Sequence, residues 1–563
     1  MKRLLLVAMF LTVIIPSCAQ TNNPVSLYEG AIIHSVEFDF SNSSADTILM
    51  NAYAKVVESE FRITPQSQFN SFLASYYVSK LSLLPFVVSA TMGVAPTSQN
   101  EVVVTVRVVF SDEQTAVKQR NAASLPVLYN SERTFLTLKV AASEMAYSNN
   151  NAWFAQPKAM TEGNPLAEQP VGEGYTAWLE GFGSAGVYGI VKVIPQINLH
   201  IYGGANYLVA FSAGNELFTR KARISGAVEE AFVGLIGGGR TAQGYVYKYN
   251  ATYGRKQFTL GDGWLIVNTS MNGHDRAALQ LNPRWAGKSL LQAGVVWNRI
   301  FVQAFRLKPN ELDILNSRTV LNGVNVELRN RKNGLLSLTF LQVPKSNFRY
   351  YMFDGATHTR DGLQVFALRI ARSTGQGGGL FYKAEAGYQR NTHFKMSAWA
   401  GYGELGWNFK KTRGTPTVSY RFAYFSGDDP DSQSYNRWDA LYTGGNGEQW
   451  VQGSNMYKIV QNSNEVSHRI QGVYTPLPKI QLVGQFWLFY AAQKNNIGGN
   501  PALTTLQSRS YGTEYNLTVK YFHSRSWYFH LNTAYTVPGR AIRANISHTQ
   551  AWFCLSFFAR YSF

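Results

Sequence analysis

The sequence predicts a mainly β protein: a large antiparallel transmembrane β-barrel of about 16 to 18 strands, preceded by a small α+β domain of β-α-α-β-β order. Three observations carry that expectation. Apolar and polar residues alternate with a period of two through most of the chain beyond residue 175. The last such run reaches Phe563, the final residue, in an aromatic row. The first twenty residues read as an export signal.

In that signal Lys2 and Arg3 form the charged start, Leu4 to Ile15 the apolar run and Ser17-Cys18-Ala19 a small-residue cleavage site, so residues 1–19 are expected to be removed. The alternative, an acylated Cys18, needs a lipoprotein box in which Pro16 is awkward. The apolar run is too short to act as a spanning anchor. No later stretch of eighteen uncharged apolar residues follows, although the chain is 45% hydrophobic and 14% aromatic, which excludes a helical membrane protein. Abundant aromatics beside 48 glycines and only 15% charged residues fit a barrel whose side chains alternate between lipid and water.

With Cys18 in the signal only Cys554 remains, so neither a disulfide framework nor a thiolate metal site can be assembled. A formal charge of +18 ordinarily suggests nucleic acid, but an exported chain meets none. Anionic solutes, acidic polysaccharides and the phosphates of lipopolysaccharide in the surrounding outer membrane are the expected partners.

Residues 25–111 read as a separate domain because the periodicity changes type several times. Ala31 to Phe40 alternates as a strand through Ile32, Val36, Phe38 and Phe40, and Ser43 with Asp46 offers a capping box for a helix through Val57. Thr64 and Pro65 are placed to cap and open a second helix, whose core face is Phe69, Phe72, Leu73, Tyr76, Tyr77, Lys80, Leu81 and Leu84. Glu101 to Phe110 is a strand with Val104, Val106, Val108 and Phe110 on its better-buried side. This order and size, after an export signal and before a barrel, resemble a POTRA domain, the periplasmic module of protein-translocating outer-membrane barrels. A different small α+β domain is the alternative.

Residues 112–175, with Tyr147-Ser148-Asn149-Asn150-Asn151 and the polar stretch 164–174, read as linker, turns or loops, although Thr134 to Ala142 has the pattern of a first barrel strand. Residues 176–563 are the expected barrel. In Glu514 to Phe522, Tyr515, Leu517, Val519 and Tyr521 alternate with Glu514, Asn516, Thr518 and Lys520, and a slip of one residue would put charge into lipid. Leu336, Leu338 and Phe340, the row Val418 to Tyr424, and the row Trp527 to Val537 repeat the pattern. In the final strand Phe553, Leu555, Phe557, Ala559, Tyr561 and Phe563 form the lipid row, and Tyr561 with Phe563 resembles the C-terminal signal read by the outer-membrane assembly machinery.

No HExxH, GxSxG, phosphate-loop or paired-cysteine pattern occurs, and the glycine runs 237–239 and 375–379 lack a strand-helix context and read as hairpin turns. The chain therefore reads as a non-enzyme without a cofactor. Its chemistry lies on the water side of the strands, where parity places Arg369, Arg421, Arg469, Lys520 and Arg560. Inward charge is expected in any wide barrel; the sharper reading is a basic pore that lowers the barrier for carboxylates. Asp428, Asp429 and Asp431 form an acidic loop that offers oxygens to Ca²⁺, with a plain solvated loop as the alternative.

Three segments in order resemble the alginate-export family: Glu230-Ala231-Phe232-Val233 with Tyr253-Gly254-Arg255-Lys256-Gln257 and Gly261-Asp262-Gly263; Arg421 to Asp429; and Tyr511-Gly512-Thr513-Glu514 continuing to Pro538-Gly539-Arg540-Ala541. The resemblance implies a large monomeric barrel with an arginine-lined, anion-selective channel for a uronate polysaccharide. The matching cations here are Arg255 and Arg421, with Lys256 beside the first. A domain ahead of the barrel departs from the family pattern.

Three functions then compete: a channel for anionic solute or acidic polysaccharide in the Gram-negative outer membrane; a translocation or assembly factor whose periplasmic domain binds a protein client by strand addition; and a structural or surface-attachment barrel. The translocating superfamily's inward loop has an Arg-Gly-aromatic tip. Arg360-Asp361-Gly362 is the nearest approach and lacks the aromatic, which favours the channel.

Overall fold

The computed structural model describes residues 32–41, 47–61, 63, 65, 69, 71–82, 84, 87–98, 101–110, 127–131, 133–194, 196, 199–329, 334–352, 354–372, 378–444, 450–496, 505–524 and 526–562. The export signal, the Ser43 and Asp46 cap, Thr64 and Phe563 lie outside them.

The small domain follows the expected order: β1 (Ile32–Asp39), α1 (Thr47–Glu60), α2 (Ser71–Leu81), β2 (Val87–Ser98) and β3 (Glu101–Phe110). β3 is central, parallel to β1 and antiparallel to β2. Its Val104, Val106, Val108 and Phe110 are fully buried against Tyr76, Tyr77 and Leu81 of α2 and Val57 of α1. Pro65 lies in a turn, and the second helix opens at Ser71 instead, after Phe69 has already entered the core.

After the short β4 (Val127–Asn130) comes the wall. Its first part is β5 (Thr134–Asn150), β6 (Tyr175–Ile194), β7 (Leu199–Gly214), β8 (Arg223–Arg240), β9 (Val246–Arg255), β10 (Ser289–Trp297), β11 (Ile300–Lys308), β12 (Val320–Arg329) and β13 (Gly334–Lys345). A two-stranded sheet, β14 (Arg349–Tyr351) and β15 (Thr357–Thr359), lies in the next loop. The wall resumes with β16 (Leu363–Arg372), β17 (Gly379–Asn391), β18 (Ala398–Asn408), β19 (Thr417–Phe425), β20 (Glu465–Leu477), β21 (Ile480–Tyr490), β22 (Ser510–Phe522), β23 (Trp527–Pro538) and β24 (Trp552–Ser562). Each strand is antiparallel to the next, and β24 closes on β5 from Phe553↔Asn150 to Ser562↔Ala141, giving eighteen strands.

Strand parity holds through the wall except where β8 shifts register against β7. Leu338, Leu368, Tyr420, Leu517, Leu531 and Phe557 are 40–58% exposed on the outside, whereas Ser337, Arg369, Arg421, Asn516 and Ser556 are buried within. Two features differ from the sequence expectation. The barrel opens at Thr134, where the first-strand pattern begins, but the strand runs on past Ala142 through Tyr147, Ser148, Asn149 and Asn150, the stretch that reads as turns: Tyr147 stacks on Trp178 at 4.4 Å, and Asn149 Oδ1 accepts the Trp552 indole N–H at 2.7 Å. A polar run at the loop end of a barrel strand mimics a turn. Gly237 to Gly239 likewise belongs to β8, where a Cβ at Gly237 would meet the Tyr249 hydroxyl at 2.3 Å and its ring at 2.4 Å.

The two ends of the barrel are unlike. At one end β10 turns into β11 through Asn298 and Arg299, and β20 into β21 through Pro478 and Lys479. At the other end segments 256–288 and 426–464 connect the strands. Short periplasmic turns and long extracellular loops are the usual asymmetry of such barrels. The small domain docks at the short-turn end, where Phe135, Tyr188, Ile190 and Tyr202, all inward-facing on β5 to β7, join its apolar core. There Tyr76 packs edge-on against His200, with ring centroids 5.7 Å apart.

Candidate functional site in the lumen

The first long loop enters the lumen because β9 is short. Arg255, its last residue, pairs with Ala231 halfway along β8, so the chain leaves the wall at mid-height. Beside that point β8 carries a bulge: Glu229 and Glu230 together oppose Asn206 of β7, and the extra residue turns both carboxylates inward. Glu229 Oε1 accepts the backbone N–H groups of Trp285 and Ala286, each at 2.7 Å. Glu180 accepts the backbone N–H of Leu281, and Ser212 Oγ that of Ala278 at 2.8 Å. Wall carboxylates thus satisfy loop donors that water would otherwise have to serve.

From this anchorage the loop crosses to the far wall. Trp264 stacks on Trp438 at 5.4 Å, and the Tyr402 hydroxyl donates to Asp262 Oδ2 at 2.7 Å. Gly261, at φ +59°, lies where a Cβ would come within 3.0 Å of the Arg369 guanidinium, so the Gly-Asp-Gly turn brings Asp262 to a cation. Burial alone would raise the Asp262 carboxyl, but the charges of Arg369 and Lys383 and the Tyr402 hydroxyl hold it below its ordinary value.

The second long loop is held in the same manner. Glu514 of β22 accepts the backbone N–H groups of Ser454, Asn455 and Met456 and the Thr536 hydroxyl, the last three at 3.1, 2.8 and 3.0 Å. Asp439 receives Arg360 at 2.6 Å and the Tyr350 hydroxyl at 2.5 Å, while Gln389 pairs with the Asp439 backbone in both directions.

Beneath the loops, inward arginines are matched by carboxylates. Arg421 and Arg469 share Glu404 at 2.7 and 2.6 Å, and Arg369 and Arg329 share Glu327, the former at 2.9 Å. The Arg421 guanidinium also lies over the Trp450 ring, 4.5 Å from its centroid. Buried cations of this kind need such partners, since removing one leaves a charge stranded in low dielectric.

The remaining candidates fall in two places. Lys520 shares the inward row of Glu514 and Asn516 on β22, and Arg560 that of Ser556 and Phe558 on β24, both toward the small-domain end. Arg255 and Lys256 stand at the exit of β9, where the Lys256 ammonium is 4.8 Å from the Phe232 ring centroid. Tyr561 belongs to the outer row, packed against Trp527 at 5.0 Å.

Asp428, Asp429 and Asp431 do not come together as a three-carboxylate site among the described residues. Asp428 Oδ1 turns back to accept the Asn436 N–H at 3.0 Å, and Asp429 Oδ1 accepts the Asp431 N–H at 3.1 Å. Sequence reasoning also missed Glu180, Glu229, Glu404 and Glu514 as loop and arginine anchors. Their signal was the same parity that places the arginines inward.

A closed antiparallel barrel with an apolar exterior and loops folded into its lumen is the architecture of an outer-membrane channel. The chain belongs to the alginate-export family: the family model described as "Alginate export" matches residues 222–553, more than half of the sequence. No curated protein sequence matches it. Among solved structures it is similar to Pseudomonas aeruginosa OccK5 (9% identity, TM-score 0.43, covering 76% of this chain and 97% of that one). It is also similar to Pseudomonas aeruginosa OprD (10%, 0.45, 76% and 95%) and to a BenF-like porin from Pseudomonas fluorescens Pf-5 (11%, 0.44, 76% and 98%).

Proposed function

We propose that this outer-membrane channel passes anionic solutes or an acidic polysaccharide, with the small domain on the periplasmic side. The observation that carries the reading is a run of inward basic residues on four neighbouring strands at the small-domain end: Lys520 (β22), His530 (β23), Arg560 (β24) and Lys139 (β5). The inward positions among them, Thr518, Tyr528, Asn532, Ser556, Phe558, Ser143 and Thr137, carry no carboxylate. The Arg–Glu groups lie higher, under the loops, and are largely neutralised. Cations clustered along one wall lower the barrier for a polyanion without chemistry.

We further propose that the small domain is a POTRA-like module, for which its element order and β1-β3-β2 sheet speak. Uronate oligosaccharide added on that side of a planar bilayer should block the current, and Lys520→Glu with Arg560→Glu should abolish the block. A block that survives both reversals would remove this wall from the path.

A further inference from the structure

The outer surface carries a polar row that lumen transport does not use. On five successive strands Arg306 (β11), Asn322 (β12), Gln342 (β13), Gln364 (β16) and Arg390 (β17) are cross-strand partners in unbroken register, all on the lipid side. Below them the outward residues are apolar or aromatic, beginning with Ala304, Val324, Phe340, Phe366 and Tyr388, until Arg372 ends the outward row of β16 at the opposite rim. On one side the row stops at Leu291 beside Arg306, and on the other the β17–β18 pairing ends at Gln389↔Ala398, short of Arg390. Arg306 and Arg390 are exposed, as are Lys308, Lys345 and Lys395 at the same rim. The rim is the long-loop end, and hence the extracellular one.

The row is held as a surface. Arg390 Nε donates to Gln364 Oε1 at 2.9 Å with its guanidinium over the Phe366 ring, and Arg306 donates to Asn322 Oδ1 at 3.4 Å. Asp361, a carboxylate of this rim, is engaged by Thr359 and His393. Two guanidiniums stand at the ends of a strip about 19 Å wide at ordinary strand spacing, with three amides between them.

We propose that this row binds the phosphorylated sugar headgroup of an outer-leaflet glycolipid. Guanidinium forks suit phosphate oxygens, the amides suit sugar hydroxyls, and the apolar belt directly below suits the acyl chains. The site is independent of whether the lumen conducts.

The probes are lipopolysaccharide, the same lipid freed of its phosphates, and phosphatidylglycerol vesicles, each offered to the full-length protein. Intact lipopolysaccharide should bind Arg306→Gln/Arg390→Gln about tenfold more weakly than wild type. Lys411→Gln, in a turn at the opposite end, should bind as wild type does. Removing the phosphates should bring wild type down to the level of the double variant. Equal binding of intact and dephosphorylated lipid by wild type would overturn the proposal, and that comparison decides even if the double variant fails to fold. Equal binding of phosphatidylglycerol would overturn it too, by making the row a generic cationic rim.

Discussion

Arg421 and Arg469 face each other as direct cross-strand partners on β19 and β20, two buried guanidiniums held side by side by the single carboxylate of Glu404. Like charges at that register would repel, so Glu404 is what makes the pairing stable.

Glu404→Ala should therefore destabilise the barrel by roughly 3–5 kcal/mol, because two buried cations lose their shared counter-charge. Urea unfolding followed by tryptophan fluorescence measures it. A midpoint equal to wild type would mean that water or another anion serves the arginines in its place.

Glu514→Ala should free the second loop. Three backbone donors of residues 454–456 lose a charged acceptor, worth roughly 1.5–3 kcal/mol for such a bond. Protease cleavage near Trp450 to Asn464 and mean single-channel conductance should both rise. Unchanged cleavage would show that the apolar packing of Met456, Ile459 and Val460 holds the loop by itself.

Deleting residues 32–110 should uncover Phe135, Tyr188, Ile190 and Tyr202 and raise conductance, since the domain rests on inward residues at the barrel mouth. Retained heat-modifiable migration on gels would show that the barrel is still folded. A folded barrel of unchanged conductance would contradict the docking.

Asp39 gives the small domain a pH dependence. Hydrogen bonds from Ser41 and then Arg107 hold its carboxyl down to about 2, against an ordinary value of about 4. A folded-state value below the unfolded one stabilises above about pH 4 and loses that contribution as pH falls toward 2. The side chains of Arg107 and Asp39 are 36% and 28% exposed, so the effect is modest. Hydrogen exchange of β1 and β3 amides should separate wild type from Asp39→Asn at pH 5 and converge at pH 2. A constant difference across that range would assign Asp39 another role.

Much of the wall was legible because a two-residue period in a half-lipid barrel leaves no latitude. Leu338, Tyr420, Leu517 and Phe557 could only face out once Ser337, Arg421, Asn516 and Ser556 faced in. The start of the barrel was obscured because Asn149, which faces the lumen, and Ser148 and Asn150, on the outer row at the loop end of β5, are all turn residues too. The loops' path was illegible for a different reason. It depends on β9 stopping at mid-height and on which carboxylate meets which backbone N–H far along the chain, as with Glu180 and Leu281, 101 residues apart. The inward arginines were found by parity, but their neutralising partners Glu404 and Glu327 appear only when neighbouring strands are placed in register.

The most direct test of the central claim is the reversal potential of the purified full-length protein in a planar bilayer under a KCl gradient. The inward cations of β22, β24 and β5 predict a potential of the sign that favours chloride, moving toward zero in Lys520→Glu/Arg560→Glu. A cation-selective potential in wild type, or a folded barrel that does not conduct with both long loops released, would contradict it.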